Sequence, residues 1–224
     1  ALFTDHIEYG DAQTIKNFVL RQQAEDGSPN VWPQIFEIGL VYPDTIKVIQ
    51  VNVNSRITEI KEAIGLQKPI SVIYNYNGYG YGVFPIDPNN LDKTPEIKDE
   101  VARAYSYINA YENTLTGKIT AVKAFDVFVK GIAVEQNELI VKLLSNQLSS
   151  IFWDFLTIKQ QVVAQAELEQ LLFNKLQTEL PSNIKKTIFG LFESIAYSKT
   201  GKEKLYQIWN KEIAIANLKL NEDD

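Results

Sequence analysis

The feature that most constrains this chain is a change in the spacing of its apolar residues across Lys68 to Asp87, K-P-I-S-V-I-Y-N-Y-N-G-Y-G-Y-G-V-F-P-I-D. Before it, apolar positions recur every second residue, as strands require. From Thr94 onward they recur at three- and four-residue steps, as amphipathic helices require. The two periods point to an α+β protein with segregated domains: an N-terminal antiparallel β-sandwich over 1–88 and an all-helical array of antiparallel helix pairs over 89–224.

The strand half reads as follows. Ile15 to Arg21 is β-rich and roughly alternating, Asp26 to Asn30 is a loop, and Gln34 to Tyr42 alternates again. Pro43-Asp44 suits a turn into Thr45 to Asn54, so these two runs form a hairpin. Arg56 to Ile64 reads as either an edge strand or a short helical turn. Ile70 to Asn75 and Tyr81 to Phe84 are expected to pair across Asn77-Gly78, since Asn-Gly is the strongest short hairpin signal. Five or six short strands joined by tight turns favour an antiparallel sandwich over a parallel sheet, which would need crossover helices.

The helical half opens at Thr94-Pro95, read as an N-cap with proline at the first helical position, and that helix closes at Gly117. Thr120 caps a second helix reaching about Gly131. Asn137 to Leu156, Gln160 to Leu180 (stopped by Pro181), Asn183 to Tyr197 and Gly201 to about Ala216 supply four more. Short connections between helices of this length imply antiparallel neighbours, as in an α-solenoid of the HEAT type. There is no fixed-length sequence repeat, which disfavours a strict tetratricopeptide or ankyrin array. Asn217 to Asp224 reads as the opening of a further helix, so the array is expected to be truncated at its C-terminal end.

Composition excludes several kinds of chemistry. Cysteine is absent, which removes disulfides, thiolate nucleophiles and cysteine zinc sites. His6 is the single histidine, so no two-histidine zinc motif can be written. Near the terminus it is expected to be an ordinary, frayed surface residue. The net charge of −6 and absence of a clustered basic face argue against nucleic acid as a partner. Pro69 to Ile86 is 18 residues without a charge, yet its asparagines, glycines and Pro85 suit no lipid-facing helix, so no membrane span is expected. The chain opens without Met or a signal-type segment, as a processed chain or excised fragment would. Compartment is left open between cytoplasmic and exported.

Few motifs survive inspection. Gly78, Gly80 and Gly82 are spaced G-x-G-x-G and lead to Pro85, not to a helix N-terminus, so a phosphate loop is disfavoured. Asp99-Glu100, Glu135 with Glu138, and Glu167 with Glu169 are expected on solvated helix faces. Trp32, Trp153 and Trp209 are expected mostly in core or interface, with a sugar-binding surface around Trp32 as a weaker idea. Catalytic, cofactor-binding and metal residues are accordingly all read as none.

Several stretches together resemble a known family. Leu20-Arg21-Gln22, Trp32-Pro33, and Lys68-Pro69-Ile70 through Asn77-Gly78-Tyr79-Gly80-Tyr81-Gly82-Val83 are similar to the region downstream of the catalytic domain in M1-family zinc aminopeptidases. Ala102-Arg103-Ala104, Tyr107-Ile108-Asn109 and Tyr111-Glu112-Asn113-Thr114-Leu115 resemble the first helix of that family's helical domain. Gly201 to Trp209 and the closing Leu220-Asn221-Glu222-Asp223-Asp224 resemble later parts of it. The family's H-E-x-x-H and G-x-M-E-N motifs have no counterpart, because one His and no Met leave no position for them. The resemblance therefore implies a non-catalytic C-terminal part of an M1-type metallopeptidase, helping to enclose the cleft and limit peptide access. Its implied partners are the catalytic domain of the same polypeptide and the parent's peptide substrates. Zinc is implied only for that missing domain, with no cofactor in this chain, and Arg103 carries over as a structural residue of the helix. The alternative is a stand-alone helical scaffold for protein or peptide interaction.

Overall fold

The computed structural model describes residues 1–218; the resemblance carried by Leu220 to Asp224, and most of the further helix expected after Asn217, lie outside them. The protein is α+β, with antiparallel strands in its N-terminal part and helices in its C-terminal part. Contacts divide it into two compact units, 1–118 and 119–224, so the first helix groups with the strands.

In the first unit, β1 (Leu2–Tyr9), β2 (Ile15–Gln23) and β5 (Ile57–Glu59) form one sheet in the order β1-β2-β5. Strands β3 (Gln34–Val41), β4 (Ile46–Val53) and β6 (Ser71–Tyr74) form a second, ordered β4-β3-β6. The β3–β4 hairpin forms as its alternation demands, with Ile38 opposite Ile49 and Phe36 opposite Val51. One side of β4 buries Ile49, Val51 and Val53 while Val48, Gln50 and Asn52 on the other stay exposed. Both sheets feed a single hydrophobic cluster, Phe3, Phe18 and Leu20 from one and Phe36, Ile38 and Leu40 from the other. Each such side chain contributes about 1.5–3 kcal/mol on burial.

Two expectations need correction among the strands of this unit, and one choice left open is decided. The N-terminus is not frayed, because Leu2–Tyr9 pairs along its length with β2 and buries Phe3. Arg56 to Ile64 is both alternatives in succession, strand β5 and then a 3₁₀ turn at Lys61–Ala63. The hairpin expected across Asn77-Gly78 is absent. β6 pairs with β3 instead, and a turn closes one step earlier, with the Gly78 N–H donating to the Asn75 carbonyl at 3.0 Å.

The reason is visible in where the backbone of 80–84 finds its partners. Asn75 Oδ1 accepts from Gly80 N–H and Asn75 Nδ2 donates to Gly80 carbonyl. Tyr81 exchanges both backbone bonds with the Gln34 side chain. The Val83 N–H donates to Ala1 carbonyl and its own carbonyl accepts from Phe3 N–H, a parallel bridge to β1. Buried backbone groups must be satisfied somewhere, and here side chains and β1 compete successfully with β6.

The helix expected from Thr94 also starts later. Leu91–Glu96 is a 3₁₀ turn with Pro95 inside it, and α1 (Glu100–Leu115) is capped by Asp99, whose Oδ1 accepts from Ala102 N–H at 2.9 Å. Gly117, at φ +74°, follows the last turn as expected.

The second unit holds α2 (Ala121–Val134), α3 (Glu138–Ser150), α4 (Ile158–Gln177), α5 (Ser182–Ile195) and α6 (Lys199–Trp209). Thr120 and Asn137 cap α2 and α3 through side-chain oxygens, as their positions predict. A single π-helical turn, Ile151–Phe155, ends α3, and Thr157 with Gln160 makes a capping box for α4. α5 packs against α3 and α4, and α2 against the same two. Phe128, Leu144, Leu148, Leu172, Ile188 and Phe192 fill the space between them. α6 ends at Trp209, short of Ala216, where turns take over and Lys211 adopts φ +63°.

Candidate functional site

The first unit contains two concavities, and both border the stretch that separates strands from helices. The smaller, about 250 Å³, lies between the glycine-rich loop and α1, lined by Asn75, Gly80, Tyr81, Tyr105, Asn109 and Glu112 among others. Its geometry is set by direct clamps. Asn109 Oδ1 accepts from Phe84 N–H at 2.9 Å, Asn109 Nδ2 donates to the Pro85 carbonyl, and Asn113 Nδ2 donates to the Phe84 carbonyl at 3.0 Å. The Phe84 ring stacks on Phe3 at 4.7 Å and meets Phe36 edge-on at 5.0 Å, tying the loop into the strand core. Gly78 has φ +74°, and a Cβ there would run into the Tyr105 ring of α1. The glycines thus serve close packing against a helix.

The larger concavity, about 590 Å³, is bordered by β6, the turn after β3, and the segment 85–99. Its volume lies in the range of ligand-binding clefts. Apolar groups such as Ile46, Ile73, Pro85, Leu91 and Ile97 make up most of the wall. Tyr76 also lines it; burial, aided by the charges of Asp99 and Glu37, raises its hydroxyl above the ordinary tyrosine value.

The residues singled out from sequence are scattered. His6 is an exposed residue of β1 with Nε2 2.9 Å from Glu8 Oε1. Arg103 donates from Nη1 to the Ile97 carbonyl at 2.6 Å, holding the approach to α1, a structural task. Trp32, Trp153 and Trp209 are not core residues, being 41, 40 and 75 % exposed. Trp153 lies 5.5 Å from Tyr197, and Trp32 exchanges backbone bonds with the Gln22 side chain.

The carboxylates depart most from expectation. Glu138, Glu167 and Glu100 are surface residues, but Glu135 and Glu169 are buried. Glu135 Oε1 accepts from Gln136 and Asn137 N–H groups at the start of α3. Glu169 Oε1 accepts from Tyr197 and Ser198 N–H, each at 3.0 Å, and Oε2 accepts from the Ser198 hydroxyl. A buried carboxylate at a helix N-terminus satisfies donors that the helix leaves open and meets the positive end of its dipole. Lys175 is also buried, donating to the Ala133 and Glu135 carbonyls at 3.1 Å where α2 ends. Burial lowers its ammonium below the ordinary lysine value, and the charge of Glu135 opposes that shift. Sequence reasoning missed the roles of Glu169 and Lys175 because the N–H groups that donate to the first and the carbonyls that accept from the second lie 28 to 42 residues away.

Among the described residues no group of three or more His, Asp or Glu side chains could hold a metal ion, and no helix is long and apolar enough to cross a membrane. No protein-family model matches the chain, and no curated protein matches it.

Proposed function

We propose that this chain is a non-catalytic part of an M1-type zinc aminopeptidase, in which it helps enclose the substrate cleft and limits which peptides reach it. The observation that carries the reading is a coincidence of sequence and contact. The Asn77 to Val83 loop, Tyr107-Ile108-Asn109 and Tyr111 to Leu115 all resemble the family, and they lie side by side: Asn109 and Asn113 hold the Phe84 backbone directly after the loop, and Gly78 packs on Tyr105 of the same helix. In this reading the two sheets are a β-sandwich, the helices a HEAT-like array, and zinc belongs to the catalytic domain.

The test uses the polypeptide as its gene encodes it. Deleting residues 119–224 should widen the length range of peptides hydrolysed while a single amino-acid amide is still turned over. Unchanged length selectivity would contradict the proposal.

The second reading is a stand-alone interaction scaffold. It is favoured by apolar residues that the helical unit leaves exposed, among them Ile158, Val162, Val163 and Leu139. Ile158 and Val162 lie one turn apart on the same face of α4, and contiguous exposed apolar surface marks interaction sites in soluble proteins. A reading frame in which the chain stands without a peptidase domain would select it.

A further inference from the structure

We propose that the cleft beside β6 is a binding site for an extended peptide, taken up as an added strand on the open edge of β6, with apolar side chains alternating with lysine or arginine. This rests on the first unit alone and is independent of the peptidase reading. β6 is an edge strand hydrogen-bonded only to β3, and its backbone meets no other strand among the described residues. The segment expected to pair with it, Tyr81 to Phe84, is committed to Gln34, β1 and Asn109 and leaves that edge unfilled.

The cleft runs along this edge. Five consecutive residues, Ile70 to Tyr74, line it, whereas a cleft lying flat on one sheet face would be lined by alternate residues. An unpaired edge bordering a cleft is the arrangement used for strand addition, where main-chain bonds supply affinity and side-chain contacts supply selectivity. The chemistry of the wall sets that selectivity. One side of an added strand would meet apolar groups such as Ile73, Pro85 and Leu91, while four carboxylates, Asp44, Asp87, Glu96 and Asp99, outnumber the two lysines, Lys93 and Lys98. Lys93 and Glu96 pair with each other at 3.6 Å, which leaves Asp44, Asp87 and Asp99 against Lys98, so the net field favours a cationic occupant.

The experiment titrates the ¹⁵N-labelled full-length chain with a capped octapeptide alternating valine and lysine. Amide shift changes are expected within 70–76 and 86–99, and affinity should fall as salt is raised. An octapeptide with glutamate in place of lysine should bind at least about tenfold more weakly. Two further peptides carry N-methyl groups on the valines or on the lysines. In an added strand one of these phases donates to β6, so at least one should lose about tenfold in affinity. The double variant Asp44→Lys with Glu96→Lys should weaken the parent peptide comparably without changing the melting temperature. No saturable shift at millimolar peptide, shifts centred elsewhere, equal binding of the glutamate peptide, or indifference to both N-methyl phases would overturn the proposal. So would a peptide-free dimer protecting amides 71–74 from exchange, which would give the edge to a second copy of the chain.

Discussion

Glu169 shows how one side chain can fix the entry of a helix. Its carboxylate collects two backbone N–H groups and the Ser198 hydroxyl before α6, and Gly201 lets that contact happen, since a Cβ there would sit 2.7 Å from Glu169 Oε2. Replacing it by Gln removes the charge and leaves only one of the two terminal atoms able to accept, a loss of about 1–3 kcal/mol. Urea unfolding of Glu169→Gln should show that loss, and wild-type stability would contradict the capping role. Gly78→Ala should cost about 1 kcal/mol for its positive φ and about 1–3 more for the collision with Tyr105. Adding Tyr105→Ala should relieve the second contribution and leave the first, which a double-mutant cycle measures. Tyr74 gives a pH signature. Its buried hydroxyl donates to Asp5 Oδ2 at 2.5 Å, and burial, with the Asp5 charge, pushes it well above the ordinary value of 10.0. Above pH 10.0 the unfolded chain loses this proton while the folded chain keeps it, so stability falls as pH rises there. Tyr74→Phe should flatten that alkaline decline; an unchanged slope would contradict the assignment.

At the scale of elements, what could be read from sequence was whatever local signals decide. The β3–β4 hairpin follows from strict alternation over Ile46 to Val53, and Thr120, Asn137 and Gly117 sit at helix ends because their side chains or backbone freedom suit those positions. β1 was not legible because only Phe3 of its eight residues is fully buried, leaving no clear period. Thr94-Pro95 carried a genuine start signal, but the chain makes a 3₁₀ turn there and Asp99 wins the cap. Asn77-Gly78 failed for a different reason, since the neighbouring Asn75 and the distant Gln34 and Asn109 captured the backbone that a hairpin needs. Glu169 was illegible for the same cause, since the N–H groups it accepts from lie 28 and 29 residues away, whereas Glu135 caps its immediate neighbours Gln136 and Asn137. Removing the Asn109 clamp tests this account. Asn109→Ala leaves the Phe84 N–H without its acceptor, and hydrogen exchange at that amide should accelerate while the β3–β4 amides are unchanged. Uniform acceleration would show that the clamp does not act locally.

For the whole molecule, the order of strands first and helices after was legible because the apolar period changes once, near residue 90. The grouping of α1 with the strands was not, since it depends on Asn109 and Asn113 holding the Phe84 backbone. With one His and no Cys, the chain alone should release no product from a chromogenic amino-acid amide with added zinc. Chelator-sensitive turnover would contradict the proposal that this chain is not the catalytic part. The central claim, that the chain serves a zinc aminopeptidase, is tested most directly by sequencing the gene upstream of the codon for Ala1. The account predicts an in-frame H-E-x-x-H with a downstream Glu within a few hundred codons, and a stop codon or an unrelated domain there would contradict it.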